Sequence, residues 1–255
     1  MKPKSILDGI LANAKANKAA YWVLLDPDDF TPKRGAEIAK HAQAAGINAL
    51  LIGGSLINTH EFDAFVASIK KAVTIPVILF PGDATQLSRH ADAVLFLSLI
   101  SGRNPVNLIS EHVKAAPVIK NMGIEPIATA YMLVESGTVT SVEFMSNTRP
   151  LPAHKPKIAA AHALAAQYMG MKMVYLEAGS GAKSAVPDEM ISIVKALVEI
   201  PLIVGGGIRD AQTAKQKLDS GADIIVTGNL LQSPGGIGVM KEIAAVVRAH
   251  TKKKQ

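Results

Sequence analysis

The chain has 255 residues, of which 49% are hydrophobic, only 4% are aromatic and none is cysteine. It has enough apolar material for a large aliphatic core, and a disulfide framework, a thiolate metal site and a cysteine nucleophile are all excluded. The net charge of +6 favours anionic partners weakly, and without basic-aromatic interleaving no nucleic-acid partner is expected. No stretch approaches the ~20 apolar residues of a membrane span and the first residues show no secretory pattern, so a cytoplasmic protein is expected.

In chain order, an N-terminal helix is expected to precede eight apolar runs. These are "AYWVLLD" (20–26), "NALLIGG" (48–54), "IPVILFPG" (75–82), "DAVLFLSL" (92–99), "IEPIATAYM" (124–132), "MKMVYLEAG" (171–179), "IPLIVGGG" (200–207) and "ADIIVTGN" (222–229). Near-continuous aliphatic runs bounded by Gly, Pro or Asp suit strands buried on both faces. Helical patterns fall at 34–45, 61–72, 105–120, 156–169, 188–199, 210–220 and 236–249. Strands alternating with helices imply a parallel sheet. Eight of them in about 250 residues predict a single (β/α)8 TIM-barrel domain over 1–255, ending in the short basic tail "TKKKQ". A doubly wound open sheet is the competing architecture.

Two irregularities interrupt the pattern. Only the short stretch "PGDATQLSRHAD" separates the third and fourth runs, too little for a full crossover helix with two loops. The third helix is therefore expected to be missing or shortened, leaving a thin wall near 81–92. Between runs five and six, "VESGTVTSVEFMSNTRPLPAHKP" is an insertion, read from its β-branched residues and single Gly as a small hairpin before a Pro-rich turn.

In such a barrel, ligands bind where the strands end. Those ends carry Asp26-Pro27-Asp28-Asp29, Gly53-Gly54-Ser55, Glu177 with the loop Gly179-Ser180-Gly181, Gly205-Gly206-Gly207-Ile208-Arg209, and Thr227-Gly228-Asn229. Glycines after strands six, seven and eight expose backbone N–H groups, and the helices that follow add their positive ends, so a phosphate site is expected there. A branched side chain at Gly206 is expected to harm anion binding more than folding. The acidic cluster allows three readings: Asp28 or Asp29 as a cap, Asp26 as a general base, or Asp26 with Ser55 as ligands of Mg2+, which takes one or two carboxylates plus phosphate oxygens and water. The seven histidines show no ligand spacing.

The ordered set "LLDPDD", "IGGS", "YLEAGSG", "VGGGIRD" and "TGN" resembles the geranylgeranylglyceryl phosphate synthase family from about Tyr21 to Ala245. The insertion "FMSNTRPLP" resembles the longer form found in archaea and some bacteria. The resemblance implies a Mg2+-dependent prenyltransferase on a barrel modified at its third helix. It implies that sn-glycerol 1-phosphate is joined to geranylgeranyl diphosphate or a similar polyprenyl diphosphate, with release of diphosphate. Carried over by motif, Asp26 and Ser55 would bind magnesium, and Tyr175, Leu176, Glu177, Ala178, Gly179, Ser180, Gly181, Gly206, Gly207, Gly228 and Asn229 would hold glycerol phosphate. A homodimer or higher homo-oligomer is also implied. Some members carry a lysine where this chain has Leu24, so a charge contact to the phosphate is missing or comes from elsewhere.

Tyr175 and Glu177 fall on one side of their strand, and Glu177 is expected to point inward and accept the glycerol proton, with Asp26 assisting through the metal. Phe96, Leu97, Leu99, Ile100, Tyr131 and Met132 are candidates to line a prenyl groove. A passing membrane-surface contact for product release would accompany such a product. Two other classes stay open: a sugar-phosphate isomerase or aldolase barrel, and a non-catalytic phosphate- or lipid-binding protein. The first is disfavoured because the single candidate strand lysine, Lys172, sits near its strand's start. The second is disfavoured because a plain anion binder would not add carboxylates.

Overall fold

Alternation of side chains across each strand builds the barrel from two apolar layers. In the computed structural model, which describes residues 5–250, β1 (Ala20–Leu25) sends Ala20, Trp22 and Leu24 inward and Tyr21, Val23 and Leu25 outward towards the helices. The same alternation runs through β6 (Met173–Glu177), where Met173 and Tyr175 face in and Val174 and Leu176 face out. The remaining strands are β2 (Ala49–Ile52), β3 (Val77–Leu79), β4 (Ala93–Leu99), β5 (Glu125–Leu133), β7 (Leu202–Gly205) and β8 (Ile224–Thr227). All pair in parallel in sequence order, and β8 closes on β1 with Tyr21 opposite Ile225. The fold is thus the (β/α)8 barrel expected from the apolar runs, and closure leaves no strand edge unpaired.

Helices α2 (Pro32–Ala45), α3 (Phe62–Ala72), α4 (Glu111–Met122), α6 (Pro156–Tyr168), α7 (Asp188–Leu197), α8 (Ala211–Asp219) and α9 (Gly236–Ala249) surround the sheet. Their ends carry the expected signals. Thr31 caps α2 by accepting from the Arg34 N–H, Pro32 fills the first turn, and Gly46 ends the helix in the left-handed region. Helix α1 (Ile6–Lys15) closes the barrel floor, packing Ile6, Leu7 and Ile10 against the inner layer. Its first turn is held by Glu125 at the start of β5. That carboxylate accepts from the Ser5 hydroxyl at 2.6 Å and from the Ile6 and Leu7 N–H groups at 2.7 and 3.1 Å. The basic tail expected at 251–255 lies outside the described residues.

No helix follows β3: residues 80–92 run as turns into β4, matching the expected thin wall. The segment is pinned where the Ala84 N–H donates to Glu111 at 2.9 Å and the Gly82 N–H to Gln86 at 2.9 Å. The insertion after β5 differs from the hairpin expected. It forms a short helix, α5 (Ser141–Ser146), capped by Thr140 and ended by Asn147 at a φ of 49°. Thr140-x-x-Glu143 is a capping pattern, and it outweighs the β-branched residues around it. The only strand-like contact in the insertion is a parallel bridge between Val134 and Leu151.

Candidate active site

The strand ends named from the sequence converge on one cavity of about 370 Å³ at the upper face of the barrel. Asp26, Ser55, Tyr175, Glu177, Gly179, Ser180, Gly181, Gly206, Gly207, Gly228 and Asn229 all line it. Leu176 and Ala178 do not, because their side chains point outward into the helix-facing core. Any contact of theirs with a ligand is through backbone alone.

Glu177 ends β6 with only 7% of its surface exposed. It points inward, as expected from Tyr175, and its Oε1 accepts the Gly179 N–H at 2.7 Å. Burial pushes its pKa up to about 7, against the opposing pull of the Tyr175 hydroxyl and the Gly179 N–H. The Tyr175 hydroxyl leans on the carboxylate without reaching full hydrogen-bond geometry. A carboxylate so placed is a base matched to neutral pH.

The loop beyond Glu177 touches the loop after β7 backbone to backbone. Gly206 has a φ of 78°, and a Cβ there would lie 2.7 and 2.8 Å from the Gly179 and Ala178 nitrogens and run into the Glu177 carboxylate. The expectation that a branched residue at 206 harms binding more than folding is therefore corrected: the site cannot hold one without shifting both loops. Ser180 donates to Asn229 at 3.0 Å, tying the β6 loop to the end of β8.

Across the cavity, Asp26 follows β1 and accepts the Asp28 N–H at 3.0 Å. Burial raises its pKa to about 6, opposed by that N–H and assisted by the charges of Asp29 and Asp28. Of the three readings of the acidic cluster, capping belongs to Asp28, which turns away to accept the Asn58 and Thr59 N–H groups at 2.8 Å each. Asp29 is joined to Gln232 beyond β8, and both line the cavity. Among the described residues no three His, Cys, Asp or Glu stand together as a metal cage. One carboxylate with a hydroxyl fits magnesium, whose remaining positions go to phosphate oxygens and water.

Arg209 was named from the sequence at the end of strand seven, in the motif "GGGIR", but was given no role. Among the described residues it is the one Lys or Arg lining the cavity, and its guanidinium donates to the Ala182 carbonyl at 2.7 Å, bracing the β6 loop. Leu24 packs 3.5 Å from the Cβ position of Gly228, so the wall there is apolar.

A second cavity of about 270 Å³ lies beside the first, against the helix-free segment after β3. Phe96, Leu97, Leu99 and Tyr131 line it as expected, joined by Val106, Ala115 and Ile119. Ile100 and Met132, also expected there, belong to the helix-facing core. Polar groups also line it, among them Asn104, Asn107, Glu111 and His112, whose Nε2 is 2.9 Å from the Ser98 hydroxyl and whose ring Phe96 meets edge-on. Burial pushes the His112 imidazole below its ordinary pKa, against a backbone hydrogen bond to Leu97 and the charge of Glu111. Gly54, Ser55, Phe80, Tyr131 and Val142 line both cavities.

Glycine loops closing the last three strands, a poised carboxylate among them and an apolar cavity alongside define a (β/α)8-barrel enzyme of anion-binding type. Among such barrels, the PcrB family model matches residues 14–249, and the chain belongs to the PcrB family. It is 47% identical over 218 residues to geranylgeranylglyceryl phosphate synthase of Thermococcus gammatolerans, covering 85% of this chain and 86% of that one. The wild-type synthase structure from Thermoplasma volcanium superposes with a TM-score of 0.91 at 37% identity, covering 98% and 100% of the two chains. That from Thermoplasma acidophilum, in complex with the substrate sn-glycerol 1-phosphate, gives 0.91 at 34% identity, covering 96% and 99%. The resemblance carried by the five motifs is borne out.

Proposed function

We propose that this protein is a prenyltransferase that joins the sn-3 hydroxyl of sn-glycerol 1-phosphate to geranylgeranyl diphosphate or a similar polyprenyl diphosphate. The product is a glyceryl ether phosphate, and diphosphate leaves. The observation that carries the reading is the pairing of two cavities with a shared wall, one among the glycine loops and holding Glu177, the other lined mainly by aliphatic and aromatic side chains. The similar synthase seen with sn-glycerol 1-phosphate supports it.

In this reading the N–H groups of the β6, β7 and β8 loops receive the glycerol phosphate, with Arg209 bracing the first loop. That anchoring fixes the free hydroxyl near Glu177, which takes its proton as the ether oxygen bonds to carbon. Asp26 and Ser55 would hold magnesium, which when bound neutralises the leaving diphosphate as a Lewis acid. The apolar cavity receives the hydrocarbon and keeps water from the reacting carbon.

A homodimer or larger assembly goes with this reading, supported by large apolar side chains left exposed, among them Val113, Ile158 and Phe144, the last at 77%. Cytoplasmic residence with a passing membrane contact for product release completes it. No helix among the described residues is long and apolar enough to cross a membrane.

The test is incubation with labelled sn-glycerol 1-phosphate, Mg2+ and prenyl diphosphates of increasing length. An ether product with stoichiometric diphosphate is expected. Tight binding of glycerol phosphate with no product at any length would leave a binding protein, and turnover of a sugar phosphate alone would favour an isomerase or aldolase.

A further inference from the structure

The end of the barrel away from the glycine loops holds a third cavity, of about 260 Å³, between α1 and the barrel floor. Its walls are apolar: Ile6 and Ile10 from α1, Trp22, Ile78 and Ile224 from the inner faces of β1, β3 and β8, and Pro201 just before β7. Ile6, Gly9, Ile10 and Asn13 share one face of α1 by their spacing, and all four line the cavity. Gly9 stands in the middle of that face. A Cβ there would meet no atom within 4 Å. Glycine inside a helix is less favourable than alanine, and this helix has space for a larger residue, so packing is not what requires glycine here.

The polar groups around the cavity carry a sign. Trp22 is 2% exposed, and among the described residues nothing accepts a hydrogen bond from its indole N–H. A buried tryptophan ordinarily finds such a partner. Asn48 spends its amide oxygen on the Tyr21 N–H at 2.8 Å, which leaves its NH2 group as a donor. Lys18 at the rim makes no ion pair among the described residues. The carboxylate at this cavity, Asp223, is committed elsewhere: it accepts from Lys195 Nζ at 2.8 Å and from the Leu202 N–H at 2.7 Å. The cavity therefore offers donors and one cation around an apolar interior.

We propose that the floor cavity is a binding site for a compact hydrophobic carboxylate, with its hydrocarbon between α1 and Trp22 and its charged end among Lys18, Asn48 and the indole N–H. The volume lies just below the roughly 300–1,000 Å³ of pockets that take drug-sized molecules, so the ligand is a single branched or aromatic group with an anionic end. One lysine with neutral donors matches a single negative charge, as on a carboxylate, better than the nearly double charge of a phosphate. A ligand touching both α1 and the floor binds only when α1 is docked, so it holds the helix in place. The site lies at the opposite end from Glu177 and does not depend on the transferase reading.

Trp22 is the single tryptophan of the chain, so its emission reports occupancy directly. The probes are 4-methylpentanoate and 3-phenylpropanoate, with the corresponding alcohols as neutral controls. Each acid is expected to shift the Trp22 emission saturably and to raise Tm with concentration. The alcohols should bind roughly 3- to 10-fold more weakly, and Lys18→Met should close that difference. Gly9→Leu, and Gly9→Met as the more adaptable filler, should melt no lower than wild type and show neither the emission shift nor the rise in Tm. Affinity for sn-glycerol 1-phosphate should be the same with and without saturating probe, which separates this site from the one at the glycine loops. No saturable response to either acid, or a response that survives both Gly9 substitutions, would overturn the proposal. Equal binding of acids and alcohols would overturn the anionic assignment. Because turnover is not the readout, none of these outcomes bears on the transferase reading.

Discussion

Glu177 is held by forces that oppose one another, and their balance can be measured. Its carboxylate must be ionised to take a proton, so kcat/KM is expected to rise with pH through about 7 and then level off. Glu177→Gln should lower turnover roughly a hundredfold or more and abolish that rise, with glycerol phosphate affinity nearly unchanged. A Gln variant at the wild-type rate would send the proton to water or diphosphate instead. The same group carries a stability signature. Because its folded pKa lies above the unfolded value, the folded state binds more protons between 4.5 and about 7, so stability falls as pH rises through that window. Asp26→Asn should lose turnover while still binding glycerol phosphate, and undiminished activity across a magnesium titration would remove Asp26 from the metal site. Gly206→Val, with its backbone at a φ of 78° and no space for a Cβ, is expected to lower Tm by several degrees. An unchanged melting curve would show that both loops give way easily. The identities of these residues were legible in the sequence because a parallel barrel brings every strand end to one face. The contacts of Gly206 and the bracing role of Arg209 were not legible, since both depend on how loops from different strands touch.

At the scale of elements, the strands were legible because burial on both faces makes them continuous aliphatic runs, as in "ALLI" and "LIVG". The helices were legible from their period and caps. The insertion was not, because its β-branched residues favour strand locally while a cap at Thr140 decides for helix α5. Helix α1 was expected, but its anchor was not, because Ser5 and Glu125 are 120 residues apart. Losing that anchor strips three donors of a charged acceptor. Glu125→Ala is therefore expected to cost about 2 kcal/mol, or roughly 4–8 °C in Tm. Glycerol phosphate affinity should stay intact because the anchor lies at the opposite end of the barrel. Calorimetric melting with a binding titration on the same sample checks both halves. A loss of affinity matching the loss of stability would mean that the floor and the site are coupled.

For the whole molecule, the barrel separates two tasks: α1 seals one end and the loops at the other do the chemistry. Which end was which could be read from where the glycines and carboxylates fall along the runs, but the size and shape of the cavities could not, because Tyr131 and Phe80 meet only after closure. The missing helix after β3 has a consequence for the order of events. The apolar cavity lies against that helix-free wall, while the polar one sits at the rim among the β6, β7 and β8 loops. Under the transferase reading each substrate would enter through its own cavity, the two meeting at the shared wall. The two should add in random order, each binding to protein that lacks the other. Titrations of each alone, followed by initial-rate patterns with product inhibition, check this, and a strict requirement for one substrate before the other would show that the two entrances act as one.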